Sequence, residues 1–338
     1  LAFPPSPPGR GAGGEGGTVP DLDIGEGASA LTPGPSFRGR GEPEFPPSPS
    51  RRGGPVETPQ YAVDALPDLT SNMDRARYLA TIERAIEYIR AGDCFQVNVA
   101  QRLLTPVKLP TLELYQRLRE RNPAPFAGWL DLGEHQILSA SPERFLRLDQ
   151  GNVETRPIKG TRPRGKTPEE DERLARELCA SPKDRAENVM IVDLLRNDLG
   201  RVCAYGTVHV DALCRLESYP FVHHLVSAVR GRLREALGPT DLLRAAFPGG
   251  SVTGAPKIRA MEIIAELERT ARGPFCGSLG WIGFDGGMDT NLLIRTIVQS
   301  GPWLHFAVGG GIVADSVPEK EYAETWHKAE GLLRALGD

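Results

Sequence analysis

Cysteine is scarce in this chain of 338 residues. The cysteines are odd in number and no two form a C-x-x-C pair; they are Cys94, Cys179, Cys203, Cys214 and Cys276. Zinc sites and disulfide frameworks need closely organised cysteines, so this distribution argues against both. Scattered reduced thiols are typical of a cytoplasmic protein, and we expect a cytoplasmic location.

Long apolar runs and a strong net charge are also lacking. No run approaches the roughly 20 apolar residues of a membrane-spanning helix, and no signal-peptide pattern opens the chain. The formal net charge is -4, which gives no electrostatic reason to expect a nucleic acid as partner. We therefore expect neither a membrane nor a nucleic acid as partner.

The first sixty residues differ in composition from the rest. They are rich in Pro, Gly and Ser and poor in aliphatic residues, so they bury little apolar surface. We predict a disordered low-complexity segment over 1–60 and one catalytic domain over 61–338. Because the chain starts at Leu1 rather than Met, we interpret its start as a fragment or a trimmed terminus.

Two helices are predicted early in the domain. Apolar residues at helical spacing indicate a helix from a cap at Ser71 or Asn72 to about Ala91. A second helix is predicted over 111–121.

Two strands are predicted beside these helices. Alternation over 94–102 places Gln96 on a polar face that either meets solvent or lines a pocket. A strand-like run over 136–148 carries Glu143 directly after a proline, where we expect partial burial.

A basic segment over 154–165 contains two prolines and two glycines, which predict a constrained turn. Lys159 lies at its centre, flanked by Arg156, Arg162 and Arg164. Nearby positive charge and partial burial both favour the neutral amine, which is the nucleophilic form. A solvated basic loop is the ordinary alternative.

A strong helix pattern follows. Ser181 is its predicted cap, Pro182 its first residue, and the apolar middle extends to about Asp198. Glu187 lies inside this helix, and a buried carboxylate needs a partner because an unpaired buried charge is costly.

A strand is predicted next, over 207–213. His223 and His224 then lie in an apolar setting over 219–230. For both histidines, a hydrogen-bonded structural role is the default interpretation.

A glycine-rich loop over 247–257 enters another predicted helix. Such a loop is typical of an anion site at a helix N-terminus. Gly249 and Gly254 have the spacing of a P-loop, but Ala255-Pro256 stands where Lys-Ser/Thr should follow. We therefore exclude a nucleoside triphosphatase.

Three strands are predicted over 275–284, 291–299 and 303–308. Arg295 lies among aliphatic residues of the middle strand, and a buried arginine favours a carboxylate partner. The glycines at 309–311 let a ligand approach the backbone.

The last predicted helix opens with a capping box, Ser316-x-x-Glu319. Glu321, Glu324 and Lys328 recur at helical spacing and share one face. A solvated polar face is the alternative interpretation of these three charges.

These segments together resemble one enzyme family, from about residue 73 to the end of the chain. They occur in the family's order: the Gln96 strand, SASPERF, PIKGT, AENVMIVDLLRND, GGSVTGAPKIRAME, the Arg295 strand, VGGGIV and PEKEYAET. The family is that of the chorismate-utilising enzymes: anthranilate synthase component I, aminodeoxychorismate synthase component I, isochorismate synthase and salicylate synthase. The resemblance implies an α+β fold, a sandwich of two β-sheets flanked by helices with the substrate in the central cleft. The family's N-terminal part is apparently truncated here.

The resemblance also implies a site. Glu187 and Glu324, with Glu321 close by, match Mg²⁺ ligands, and a few carboxylates plus substrate oxygens suit Mg²⁺. The positions implied for chorismate binding are Gln96, Thr161, His224, Ser251, Arg295, Gly310, Gly311 and Lys328. Among these, Arg295, Lys328 and the backbone at Gly310 and Gly311 would bind carboxylates.

Three positions carry the implied chemistry. Glu143 resembles the general acid that protonates the departing C4 hydroxyl. Isochorismate and salicylate synthases have a water-activating lysine where this chain has Gln96, which argues against water as nucleophile. Anthranilate synthases generally read PIAGT, whereas in aminodeoxychorismate synthases the lysine of PIKGT, here Lys159, is the proposed covalent nucleophile. The resemblance therefore indicates the aminodeoxychorismate synthase component I branch, which serves 4-aminobenzoate and folate synthesis.

The implied reaction has two displacements. Lys159 attacks C2 of chorismate as the C4 hydroxyl leaves, and ammonia then attacks C4 and expels Lys159. Because we find no glutaminase signature, ammonia would come from a separate glutamine amidotransferase subunit or from free ammonium. Two alternatives stay open: anthranilate synthase component I, with Lys159 merely structural, and a truncated ligand-binding paralogue without activity.

Overall fold

The computed structural model describes residues 59–337. The disorder predicted for 1–60 therefore lies outside the described residues, apart from positions 59 and 60. Within 59–337 the chain forms two antiparallel β-sheets and seven α-helices. None of the helices in this range has the length and apolar content that crossing a membrane requires.

The first sheet, called sheet A, has eight strands within the described residues. Its strands are β1 (Tyr61–Ala62), β2 (Thr70–Ser71), β3 (Gln96–Pro106), β4 (Phe126–Asp131), β5 (His135–Ser141), β11 (Gly254–Ala255), β14 (Thr296–Ser300) and β15 (Trp303–Ile312). They run in the order β1-β2-β3-β15-β14-β5-β4, and β11 pairs with β3. The long β3–β15 ladder sets Gly311 opposite Asn98, so the glycine run lies beside the predicted polar strand.

The second sheet, called sheet B, has seven strands in the same part of the chain. These are β6 (Arg144–Asp149), β7 (Asn152–Thr155), β8 (Ile158–Pro163), β9 (His209–Ser218), β10 (Val222–Arg232), β12 (Gly280–Ile282) and β13 (Met288–Asn291). Their order is β12-β13-β6-β7-β10-β8, with β9 also paired to β10. The β8–β10 pairing sets His224 opposite Thr161.

The helices cover the sheets. They are α1 (Arg75–Arg90), α2 (Thr111–Arg121), α3 (Pro168–Ala180), α4 (Pro182–Gly200), α5 (Pro239–Ala246), α6 (Lys257–Glu268) and α7 (Pro318–Leu336). One hydrophobic cluster joins sheet B to α4 and α5, a second joins sheet A to α2 and α7, and a third joins β3 to α1 and α6. The predicted arrangement of two sheets flanked by helices is confirmed.

Several local predictions are confirmed. The helix over 111–121 has the predicted bounds. Ser181 caps α4 by accepting a hydrogen bond from Asp184 N, and Pro182 is its first residue. Both results follow from sequence because capping and helical periodicity involve neighbours within one or two turns.

Two predicted helix caps are wrong. Asp74, rather than Ser71 or Asn72, caps α1, since its carboxylate accepts from Arg77 N at 2.7 Å. The capping box at Ser316 does not form, because Ser316 Oγ donates instead to Glu321 Oε1 at 2.7 Å. In both cases a side chain that is able to cap is engaged by a more distant partner.

Several of the predicted strand bounds are wrong. The run over 136–148 is two strands in different sheets, divided at Pro142 and Glu143. The strand predicted over 207–213 is β9, which starts and ends later. Of the run over 275–284, only β12 is a strand.

Two functional segments also differ from their predicted conformations. The basic segment over 154–165 is mostly extended, with β7 and β8 on either side of Arg156 and Pro157. Arg295 lies between β13 and β14, with a φ of 51°. This left-handed backbone interrupts the predicted strand and turns Arg295 out of the ladder.

Candidate active site

Lys159 lies on β8 and is partly buried. Its Nζ donates to the backbone carbonyl of Ser251 at 3.4 Å. Burial lowers the pKa of the Lys159 amine, and Lys328 acts in the same direction, while Glu187 and Glu143 oppose it. The sequence placed these residues in four separate segments, and the fold brings them within electrostatic range of one amine.

The flanking arginines do not have the predicted effect on Lys159. Arg156 pairs with Glu217, Arg162 with Glu177 and Asp184, and Arg164 with Asp171. The prediction that these arginines depress the lysine pKa is therefore wrong. The predicted lowering of the Lys159 pKa and its predicted cause, burial, are confirmed, and the positive charge that adds to it comes from Lys328.

Glu143 lies in the link between β5 and β6 and is only 5% exposed. Its Oε1 accepts a hydrogen bond from Ser251 Oγ at 2.8 Å. Burial raises the pKa of Glu143 to about 7, against the opposing effects of Ser251 and Lys159. A carboxyl group with this pKa is partly protonated near neutral pH and is able to donate a proton.

Ser251 connects the two chemical groups. It lies in a short 3₁₀ turn over Gly250–Val252, within the glycine-rich loop. Its carbonyl accepts from Lys159 and its hydroxyl donates to Glu143. The loop predicted as an anion site thus holds the candidate nucleophile and the candidate acid together.

The nearby lysine of the loop has a structural role. Lys257 Nζ donates to Asp198 Oδ2 at 2.7 Å and to the carbonyl of Ala246 at 2.6 Å. A P-loop lysine must be free to reach phosphates. The engaged Lys257 agrees with the exclusion of a nucleoside triphosphatase.

His224 and Thr161 face each other across the β8–β10 pair. Thr161 Oγ1 lies 2.9 Å from His224 Nδ1, at hydrogen-bond distance. Burial lowers the pKa of His224 to about 4, so the imidazole is neutral at physiological pH. His223 is held by Ser218 and Asp171, which agrees with its structural interpretation.

Gln96 opens β3 and is completely buried. Neither its amide nitrogen nor its amide oxygen has a hydrogen-bond partner among the described residues. A Cβ added at Gly311 would lie 2.8 Å from Gln96 Nε2, so glycine is required there for the amide to fit. An unsatisfied buried amide is costly unless a ligand completes its hydrogen bonds.

Arg295 is partly buried, and burial lowers the pKa of its guanidinium. Within residues 59–337 it forms no ion pair, although Glu330 lies within electrostatic range. Its partner was predicted to be a carboxylate. A guanidinium without an ion pair is suited to bind a carboxylate of a ligand.

The predicted carboxylates lie close to lysine side chains. Lys328 Nζ is 2.7 Å from Glu324 Oε1, and it also donates to the carbonyl of Gly309 at 3.0 Å. Lys183 Nζ is 3.9 Å from Glu187 Oε1 and 3.8 Å from Glu321 Oε1. The alternative of a solvated polar face does not hold for Glu321, which is 5% exposed.

The carboxylates fit Mg²⁺ in chemistry. All offer oxygen ligands, and a Cβ added at Gly310 would lie 3.5 Å from Glu321 Oε2 and 3.7 Å from Glu324 Oε1. It would lie 3.3 Å from Lys328 Nζ, so the side chains of Glu321, Glu324 and Lys328 face the same small space beside Gly310. Even so, no three carboxylate, histidine or cysteine side chains of 59–337 stand close enough to hold a metal ion as they are.

Sequence reasoning missed two residues that shape this site. Lys183 precedes Glu187 by one helical turn, and that i, i+4 spacing was a usable signal. Arg272 donates to Val252 O and Asn98 O, which ties the glycine-rich loop to β3. The i, i+4 spacing of Glu268 and Arg272 was a local signal of their ion pair, but the contacts of Arg272 with Val252 and Asn98 gave none because those residues are distant in sequence.

The geometry defines a class of protein. Two antiparallel sheets flanked by helices hold an amine of lowered pKa, a buried acid and an arginine without an ion pair among the described residues. A family model described as "chorismate binding enzyme" matches residues 51–334. The chain belongs to this family.

Individual relatives fall into two activities. The chain is 53% identical over 266 residues to anthranilate synthase component 1 of Thermus thermophilus, covering 79% of this chain and 58% of that protein. It is 50% identical over 282 residues to aminodeoxychorismate synthase component 1 of Salmonella typhimurium, covering 83% of this chain and 62% of that protein. The solved anthranilate synthase component I of Streptococcus pneumoniae superposes with a TM-score of 0.73 at 38% identity, over 79% of this chain and 59% of that one.

The chain therefore spans about three-fifths of the length of the curated relatives it matches. Similar identity to both activities means that overall likeness does not separate them.

Proposed function

We propose that the chain is aminodeoxychorismate synthase component I. It would convert chorismate and ammonia into 4-amino-4-deoxychorismate, for 4-aminobenzoate and folate synthesis. The observation that carries the proposal is the environment of Lys159: a partly buried amine of lowered pKa that donates to the Ser251 carbonyl. A lysine with only a structural role would be expected to pair with a carboxylate, and Lys159 forms no ion pair within 59–337.

In the first displacement, the neutral Lys159 amine attacks C2 of chorismate. Both ring double bonds shift, from C1=C2 and C5=C6 to C1=C6 and C4=C5, and the C4–O bond breaks. Glu143 donates a proton to the leaving hydroxyl, which departs as water. The pKa of Glu143 near 7 suits this donation, because hydroxide itself is a poor leaving group.

In the second displacement, ammonia attacks C4. Both ring double bonds shift back and the C2–N bond breaks, which returns the electron pair to Lys159. The surplus proton on the new amine returns to the Glu143 carboxylate. Splitting one difficult displacement into two easier ones is the advantage of a covalent route.

The remaining site residues would bind and orient chorismate. Arg295, Lys328 and the backbone at Gly310 and Gly311 would hold its carboxylates, with Thr161 and His224 beside them. Gln96 would complete its amide hydrogen bonds with the substrate or with ammonia. Mg²⁺, held by Glu187 and Glu324 with Glu321 close by, would supply positive charge for a substrate carboxylate.

A separate glutamine amidotransferase subunit would supply ammonia, and free ammonium would replace it in the test. We would incubate the purified chain with chorismate, Mg²⁺ and ammonium and identify the products by mass. Lys159→Ala would be compared with Lys166→Ala, which removes an exposed lysine elsewhere. Aminodeoxychorismate from the wild type and from Lys166→Ala, reduced by about a hundredfold or more in Lys159→Ala, is the expected result.

The covalent step has its own readout. Without ammonium, intact mass should show an adduct equal to chorismate minus water on the wild type and none on Lys159→Ala. Turnover without dependence on Lys159 would overturn the covalent route.

The second candidate is anthranilate synthase component I. It is favoured by the 53% identity to the Thermus thermophilus protein. Anthranilate and pyruvate as products would support it and leave Lys159 a structural residue. A folded chain that binds chorismate without turnover would instead support the ligand-binding paralogue.

A further inference from the structure

The ammonium group of Lys183 lies at the N-terminus of α4, where the helix dipole does not stabilise a positive charge. Lys183 is the second residue of α4, and a helix N-terminus favours anions over cations. Its contacts are instead with the carboxylates of Glu187, one turn along α4, and Glu321 on α7. Lys183 thus lies between a carboxylate of α4 and a carboxylate of α7.

The surrounding charges require a cation here. Asp184 and Glu321 lie within electrostatic range of Glu187, and Lys159 and Lys183 are the positive charges near it. Glu324 is also within range of Lys183, although Lys328 is its main partner. Carboxylates gathered this closely repel one another unless positive charge lies among them.

Lys183 is held loosely in this position. Its side chain is 54% exposed, whereas those of Glu187 and Glu321 are 16% and 5% exposed. The lysine is therefore able to swing into solvent without disturbing the core, while the two carboxylates stay in place. The long N–O distances of 3.9 and 3.8 Å leave weak pairs that a divalent cation would replace.

We propose that Lys183 is an internal counter-ion that neutralises Glu187 and Glu321 in the metal-free protein and is displaced when a divalent cation binds. The inference rests on the metal site of the proposed function. It explains why those carboxylates converge in the fold and yet form no ready-made metal cluster in the described residues. Mg²⁺ affinity is then set by competition with an ammonium group of the same chain.

The test is direct Mg²⁺ binding, measured by calorimetry without chorismate. In Lys183→Met the Mg²⁺ dissociation constant should fall about three- to tenfold, the size expected for losing two weak competing pairs. Lys183→Arg keeps the charge and should stay close to the wild type. Lys166→Met is the matched control for the loss of one positive charge.

A second readout is thermal stability. Without metal, Lys183→Met should melt at a lower temperature than the wild type. Saturating Mg²⁺ should raise the melting temperature of Lys183→Met by more than it raises that of the wild type. If Lys183→Met does not fold, Lys183→Gln takes its place.

Unchanged or weaker Mg²⁺ binding by a folded Lys183→Met would overturn the proposal. Binding by the variant but not by the wild type would support it strongly, and no binding by any variant would overturn it together with the metal site. The product assay on Lys159 is independent, so an active enzyme with unaltered Mg²⁺ affinity in Lys183→Met would contradict this inference alone.

Discussion

Glu143 and Ser251 are joined by a hydrogen bond of 2.8 Å, although they lie 108 positions apart in the chain. The hydroxyl of Ser251 donates to the carboxylate, and the carbonyl of the same serine accepts from Lys159. One residue of the glycine-rich loop therefore sets the distance between the candidate acid and the candidate nucleophile. Burial favours the neutral forms of the Glu143 carboxyl group and the Lys159 amine. The proposed first displacement needs both groups in their neutral forms.

The Ser251 hydrogen bond should tune the pH dependence of turnover. It stabilises the Glu143 carboxylate and so holds its pKa down. In the wild type, kcat/KM for chorismate should fall as pH rises through about 7, because the acid loses its proton. Ser251→Ala should move this fall to higher pH. Rates would be measured at a constant concentration of free ammonia.

Thr253→Ala is the control for that shift. Thr253 is a buried loop residue whose hydroxyl donates to Gly249 O and does not contact Glu143. Its pH profile should match the wild type in shape. An equal shift in both variants would mean that loop distortion, and not the hydrogen bond to Glu143, governs the profile.

Glu143 should cost the protein stability at alkaline pH. Its folded-state pKa of about 7 lies above the roughly 4.3 of an unfolded glutamate, so the folded state holds the proton more tightly. Stability is then lost as pH rises from about 4.3 to about 7 and stays lower above that range. Glu143→Gln should be more stable than the wild type at pH 8.5, by on the order of 3 to 4 kcal/mol, with little difference at pH 4.

Urea unfolding at the two pH values measures this difference. Glu120→Gln, which alters an exposed carboxylate of α2, should show no comparable change between them. A difference for Glu143→Gln that is independent of pH would contradict the buried-acid assignment.

Gln96 should prove to be a functional rather than a stabilising residue. Its amide is buried and unpartnered, so Gln96→Met should raise the free energy of unfolding by about 1 kcal/mol or more while lowering activity. Gln101 on the same strand is also buried, but its amide accepts from Ser71 and donates to Thr325. Gln101→Met should therefore destabilise the protein by about 1 kcal/mol.

Denaturant unfolding of the two variants provides a comparison within one strand. Destabilisation of both by similar amounts would show that Gln96 finds partners in the free protein, and its ligand role would then lose its support.

The Arg272–Glu268 pair should be strongly coupled. Glu268 is 5% exposed and receives two hydrogen bonds from Arg272, at 2.6 and 2.9 Å. Arg272→Met leaves a buried carboxylate unpaired and should cost on the order of 3 to 5 kcal/mol. Arg272→Met with Glu268→Leu should cost clearly less than the sum of the single changes.

Arg259→Met is the exposed comparison for this cycle. Arg259 pairs with Asp93 and Glu262 on the surface, so its loss should cost about 1 kcal/mol or less. Strict additivity in the Arg272–Glu268 cycle would show that the buried pair is not a unit.

The sequence by itself determined the local elements and the family. Neighbours a few residues apart set the bounds of α2 and the Ser181 cap of α4. The order of the site segments is read directly from the sequence. Helical periodicity and the Ser181 cap are encoded within a few residues and were predictable, whereas the predicted caps of α1 and α7 were wrong.

The tertiary structure decided which charges meet. The arginines beside Lys159 in sequence pair with partly buried carboxylates of other elements, while Lys328 from the last helix shares the electrostatic environment of Lys159. Ser316 bonds to Glu321 rather than capping α7, and Lys183 reaches across to the same carboxylate. These contacts join separate elements, and they exist only because burying apolar helix and strand faces fixes the register between those elements. The strength of a charge interaction depends on that distance and burial, and neither is written in local spacing.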